Sequence, residues 1–422
     1  MNTRTLALLT AGWLAASSAV RADDWPQWRG VHRDGISKET GLLKAWPKDG
    51  PKLAWKNVEV GGGYSTPSIV GDRVYLMGDK DGQEYLVVLN AKDGKEQWRT
   101  KIGPVGKNKG MQYPGTRSTP TVDGDRIYVL ASDGDLACVE PTKGEITWKK
   151  NLQSDFAGKV GNWAYAESPL IDGDVVVSTP GGKEATLVAL NKKTGETVWK
   201  ASVPEGDAAG YGSVIAVDSA GSRQYVQFVA KGVVGVDAKS GKYLWRYNKT
   251  KDPFATIPTP IFHDDCVFTS GRNGSGLVRV KANAVEEVFF NKTVLNTIGT
   301  PVLVGNYLYA TDARGNLVCM DFKSGEVKWS DPSVGTASLC VADGLLYVRG
   351  QGNDGFRAEK GPIFVALVEP TPDGYKERGR LQQPDHGNKP AWPHPIVANG
   401  RLYLRDQGVL LCYDVKDSGS GK

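Results

Sequence analysis

The side chains of this sequence best suited to chemistry are one guanidinium, Arg117, and one carboxylate, Glu167, set among rings and amides: Tyr64, Trp163, Tyr165, Tyr211, Asn296, Trp392 and His394. That mixture suits recognition more than bond cleavage. Rings cover flat or apolar surfaces while a few polar groups fix orientation, so a peptide strand, a sugar or a small planar molecule would fit. Arg117 and Glu167 are also expected to pair with each other, which would neutralise two buried charges. Groups that commonly break bonds are missing. No Gly-x-Ser-x-Gly turn is present, and the four histidines (His32, His263, His386, His394) lack metal-ligand spacing. Asp79-Lys-Asp81-Gly82 begins like a calcium loop without its later ligands, which reads as a hairpin turn. No Cys-x-x-Cys-His occurs, so covalently attached c-type haem is excluded.

A repeat must position these residues. Asp237-Ala-Lys-Ser-Gly-Lys-Tyr-Leu-Trp245 has close copies ending at Trp98, Trp148, Trp199 and Trp329, the tail of one at Trp55, and a degenerate one with Val285 for glycine and Phe289 for tryptophan. The aromatic positions recur 40 to 51 residues apart. With strand-like sequence between them and helical periodicity absent, that period predicts a propeller. Asp-Gly and Gly-Asp pairs supply the tight turns, three to a repeat, so each blade has four antiparallel strands. Blade openings near Pro67, Pro120, Pro169, Ser213, Pro260, Pro301, Ser338 and Pro395 make eight. The last blade ends at Asp414 with three strands, and Lys52-Leu-Ala-Trp55-Lys-Asn-Val-Glu-Val60 supplies its fourth. Closure matters because an open ring would leave unpaired backbone groups on two edges. The fold is therefore all-β, an eight-bladed propeller over 52–416, preceded by an extension, 23–51, packing on it and followed by a flexible tail, 417–422.

The start of the chain reads as a leader. Arg4, an apolar run from Leu6 to Ala19 and Val20-Arg21-Ala22 form a secretory signal over 1–22. Its apolar stretch is too short for a membrane span. With no cysteine before Cys138 there is no site for an N-terminal lipid anchor. Periplasmic or secreted localisation follows. The formal charge of +5 drops to +3 without Arg4 and Arg21, giving no electrostatic case for nucleic acid or an anionic membrane. Five cysteines would normally suggest disulfides in an exported chain. Cys138, Cys319 and Cys412, however, occupy one repeat position in distant blades, beyond disulfide reach, so these and Cys266 and Cys340 read as buried apolar residues.

The tryptophan-ended repeat in an eight-bladed ring resembles the pyrroloquinoline quinone (PQQ) repeat family, which includes secreted quinoprotein dehydrogenases and the propeller lipoprotein of the outer-membrane assembly machine. The opening Trp25-Pro-Gln-Trp28-Arg-Gly30 is similar to the start of many exported bacterial propellers with this repeat. The resemblance implies that Trp55, Trp98, Trp148, Trp199, Trp245, Phe289 and Trp329 pack between blades. For a dehydrogenase it implies PQQ with calcium, and the residues matching that site are Arg117 at a blade opening and Glu184 as a calcium ligand. The chain lacks the adjacent cysteine pair of those enzymes.

Long, irregular segments (103–117, 153–167, 204–212, 350–362 and 378–394) fall on the disc face carrying the inter-blade crossings, where binding is expected. The leading expectation is a non-catalytic scaffold of the cell envelope, binding an envelope protein or peptide without a cofactor. A PQQ- and calcium-dependent dehydrogenase and a carbohydrate-binding propeller are the alternatives.

Overall fold

Thirty-two strands in eight four-stranded antiparallel sheets form the ring, in a computed structural model that describes residues 24–108, 113, 115–252, 254–293, 295, 298–351, 361–387 and 389–419. The leader 1–22 and Asn296 lie outside the described residues, as do 420–422 of the expected tail. In blade 3, strands Leu170–Asp172, Val175–Ser178, Leu187–Asn191 and Thr197–Ala201 follow one another from the channel outwards. Blades 1 to 7 share this meander. In blade 8, Lys52–Asn57 pairs with Val409–Asp414, so the ring closes with the N-terminal strand outermost, as the repeat predicts. No described helix is long and apolar enough to cross a membrane.

Burial explains the repeat. The middle strands are buried on both faces, because each blade packs between two others, whereas outer strands alternate. Thr197–Ala201 exposes Thr197, Val198 and Lys200 and buries Trp199. That ring lies under the next blade's turn glycine, Gly241, which has φ +71° and whose added Cβ would come 2.5 Å from it. Trp55 under Gly94, Trp98 under Gly144 and Trp148 under Gly195 repeat the arrangement. Trp199 Nε1 donates to the Ala238 carbonyl at 3.1 Å, stitching blade 3 to blade 4. Blade 5 has Val285 in place of the glycine, and Trp245 turns instead to Gln224 of its own blade at 2.8 Å. All five cysteines are buried and free.

The extension does more than pack on the ring. Trp25 pairs with Ile69 of blade 1, and the Pro26 carbonyl accepts from Val122 of blade 2 at 2.8 Å. Trp28 Nε1 donates to Thr259 Oγ1 at the opening of blade 5 at 3.1 Å. Arg29 donates to the Thr300 and Pro301 carbonyls of blade 6 at 3.2 and 2.8 Å, and Arg33 to those of Ser168 and Pro169 of blade 3 at 2.8 and 3.1 Å. Ile36 pairs with Val341 of blade 7, and Trp28 meets His394 of blade 8 edge to face at 4.8 Å. A stretch of thirteen residues can reach the inner strands of seven blades only from within the channel. Residues 24–36 are thus a plug. The chain then leaves by the opposite face, where Glu39 accepts from Gly400 at 2.9 Å and Trp46 N donates to the Arg378 carbonyl at 3.0 Å.

Candidate functional site

Above the plug, on the crossing face, a cavity of about 710 Å³ opens at the mouth of the channel. Tyr64, Tyr113 and Trp392 form one wall, with Trp392 centred 4.9 Å from Tyr64 and 4.8 Å from Tyr113. Trp163 and Tyr211, 5.8 Å apart, form another. Phe254, exposed, stacks under Arg272 at 4.4 Å on the rim, and Trp28 of the plug closes the floor. The channel is therefore a blind cup.

Its floor has a polar order that follows from the residues opening each blade. Ser168 Oγ accepts from Thr119 N at 2.9 Å, Ser213 Oγ from Ser168 N at 2.9 Å, Thr259 Oγ1 from Ser213 N at 3.2 Å and Thr300 Oγ1 from Thr259 N at 3.0 Å. Each hydroxyl satisfies a main-chain donor of the preceding blade that would otherwise be orphaned. In blade 8 His394 stands at this position. Burial and the charge of Arg29 push it from 6.5 down to about 3, so the imidazole is neutral, and its Nδ1 faces the Leu339 carbonyl at 3.3 Å.

Arg117 lines the cup. Its guanidinium donates to the Gly115 carbonyl at 3.1 Å and to the Tyr113 carbonyl, and lies 5.5 Å over the Tyr64 ring. Burial lowers its pKa, partly offset by Tyr64 and Tyr211 and by the carboxyl groups of Glu84 and Asp79. Asp252 is the carboxylate among the lining residues, and its Oδ1 accepts from Phe254 N at 2.8 Å and Ala255 N at 3.1 Å.

Of the residues expected at the mouth, Tyr64, Arg117, Trp163, Tyr211, Trp392 and His394 are brought together. Two are not. Tyr165 is buried in the core between blades 2 and 3, its hydroxyl donating to the Pro180 carbonyl at 2.8 Å. Glu167 is buried beside it and accepts from Ser178, Thr179 and Gln227, the last at 3.1 Å. The expected Arg117–Glu167 pair is not formed. Glu167 instead faces the positive charge of Arg33 in the plug, and burial raises its pKa against that attraction and its hydrogen bonds. Alternation explains the error: Ala166 and Ser168 line the cup, so the odd-numbered neighbours turn into the blade. Sequence reasoning missed Trp28 and the hydroxyl floor. The signal was the Ser or Thr before most blade-opening prolines.

The constellation implied for PQQ and calcium does not assemble. Glu184 is exposed and away from the cup, and Glu167 has its oxygens engaged. Among the described residues no cluster of three or more His, Cys, Asp or Glu side chains could hold a metal.

A family profile described as outer membrane protein assembly factor BamB matches residues 82–331. The chain belongs to that family. Among its relatives, the assembly factor BamB of Burkholderia pseudomallei is 25% identical over 269 residues, 60% of this chain and 63% of the relative. That of Yersinia pestis is 22% identical over 319 residues, 69% and 72% of the two chains. The chain thus spans less than two thirds of the Burkholderia relative. Among solved structures, a quinohemoprotein alcohol dehydrogenase from Pseudomonas putida HK5 superposes with a TM-score of 0.67 at 12% identity, covering 94% of this chain and 81% of that one. BamB from Moraxella catarrhalis gives 0.55 at 16% identity, covering 80% and 95%. At these identities the structural likeness shows the fold alone.

Proposed function

We propose that this chain is an exported scaffold of the cell envelope that binds protein segments during outer-membrane protein assembly, without catalysis of its own. The family match over residues 82–331 carries the reading. Support comes from the architecture: the ring is closed, the channel is plugged, and the irregular crossings gather on one face, which leaves that face to receive a partner. The leader expected over 1–22 would take the chain across the inner membrane, and its mild charge leaves protein as the natural partner. The reading needs no resident cofactor.

Photo-crosslinkers placed on the crossing face, for example at Arg272 and Phe254, and on the opposite face at Lys95 should separate the two sides in living cells. Adducts with envelope proteins from the crossing face, absent at Lys95, are expected, together with lowered outer-membrane barrel levels on depletion of the chain. Unchanged barrel levels and no adducts would refute the proposal. A quinone enzyme would instead show saturable, calcium-dependent PQQ binding with dye reduction.

A further inference from the structure

The cup is lined by two guanidiniums and one carboxylate. Arg117 donates to two carbonyls and Arg272 lies over Phe254, and neither guanidinium has a carboxylate within ion-pair distance among the described residues. Trp163 Nε1 is buried on the wall with no partner. The floor hydroxyls of Ser168, Ser213 and Thr300 each accept one main-chain N–H group and still have an O–H to donate and a lone pair to accept with. Against these donors stands Asp252, whose Oδ1 is taken up by two main-chain N–H groups.

Charge points the same way. Arg29 and Arg33 lie buried beneath the floor, held by main-chain carbonyls. Glu167 faces Arg33 and Asp34 faces Arg29. The charge of Arg29 still reaches the floor, where it contributes to keeping His394 unprotonated. A carboxylate only accepts hydrogen bonds, and a planar guanidinium fits it with two parallel bonds. The walls add the second requirement, since the Tyr64–Trp392 and Trp163–Tyr211 pairs favour a flat ring.

We propose that the cup binds an aromatic carboxylate, its ring between the two aromatic walls and its carboxylate on Arg117. Such a group comes from two sources, a free aromatic acid or the C-terminal residue of a protein chain ending in Phe, Tyr or Trp. The inference does not rest on the scaffold reading. The plug makes the cup blind, so whatever enters must end there, which suits a terminus or a small molecule and excludes a threaded chain.

The test uses the purified mature chain, tryptophan emission and titration calorimetry. The probes are 2-naphthoate, its neutral analogue 2-naphthylmethanol, acetyl-Gly-Ser-Phe with a free carboxylate, the same peptide as an amide, and maltotriose. Each acid should bind about ten- to a hundredfold more tightly than its neutral counterpart, the range for a hydrogen-bonded charge. Arg117→Gln should abolish that preference without weakening the alcohol. Binding by naphthoate alone identifies a free acid as the source, and binding by the peptide acid alone identifies a chain terminus. Equal affinity for acid and neutral forms, no binding of either acid at millimolar concentration, or binding of maltotriose alone overturns the proposal. Should Arg117→Gln fail to fold, Arg272→Gln and the acid–neutral comparison on the unaltered chain still decide.

Discussion

Between pH 6.5 and 4.5 two buried groups work against each other, and single substitutions should expose each. Folded His394 takes up a proton only near pH 3, against 6.5 for a free imidazole, because of burial and the neighbouring Arg29. The unfolded chain therefore gains a proton on acidification that the folded chain does not, and stability is lost as pH falls below 6.5. Integrated over this window, the loss is about 2 kcal/mol. Glu84, fully buried and accepting hydrogen bonds from Ser132 N and Oγ, is raised by burial from 4.5 to about 7. Here the folded chain takes up its proton first, so stability increases as pH falls from 7 towards 4.5, also by about 2 kcal/mol over the window. Carboxylates held low by partners, such as Asp172 and Asp343, titrate below it. Equilibrium urea unfolding at pH 4.5, 5.5 and 6.5, followed by tryptophan emission, should show His394→Gln stabilised on acidification relative to the parent and Glu84→Gln destabilised, the two deviations opposite in sign. If both variants follow the parent's pH profile within about 0.5 kcal/mol, the desolvation argument fails for both groups.

Three further outcomes follow from the packing. Gly241→Ala forces a Cβ against the Trp199 ring at a left-handed backbone position and should lower stability by at least about 2 kcal/mol, read as a drop in urea midpoint. Trp199→Ala should cost about 3 to 5 kcal/mol in the same assay, since it opens a void between blades 3 and 4. Arg33→Met leaves the Ser168 and Pro169 carbonyls without their donor and Glu167 without its facing charge, so a loss of about 3 kcal/mol is expected, with new protease cleavage within residues 24–37 as the specific sign of a released plug.

The ring was legible because its signals are local and repeated. A turn glycine, a tryptophan four residues later and an apolar three-residue inner strand recur at blade spacing, and each is explained by contact with the next blade. The cup was legible only in part. Tyr64, Arg117, Tyr211 and His394 were found because they fall at blade openings, and Trp163 and Trp392 because they lie in the crossings beside them, but opening position alone does not say which way a side chain turns. Tyr165 and Glu167 belong to the same opening as Ala166 and Ser168 and point the other way, a one-residue question that alternation decides only once the strand's register is known. The plug was hidden for a different reason. Its contacts join residues 25–36 to positions up to 366 residues distant, and those of Arg29 and Arg33 run to main-chain carbonyls, which carry no residue identity.

The individual character of the cup lies in the places where the repeat is broken. An eightfold ring of Ser or Thr at the blade openings would make a symmetric, featureless floor. His394 replaces one of them and meets Trp28, and Arg117 supplies a charge that the other openings lining the cup lack. Trp28, Tyr64, Trp392 and His394 also lie outside the residues 82–331 that match the family profile. The match covers Arg117 and most of the lining, and leaves out the side of the cup formed by Trp28, Tyr64, Trp392 and His394. A partner-binding role inherited with the ring would work through the crossings and the blade edges, whereas ligand binding in the cup would depend on Trp28 and Arg117. The two should separate experimentally: Arg117→Gln is expected to abolish acid binding while leaving crosslinked envelope adducts intact, and loss of both together would mean that cup and partner surface are one site.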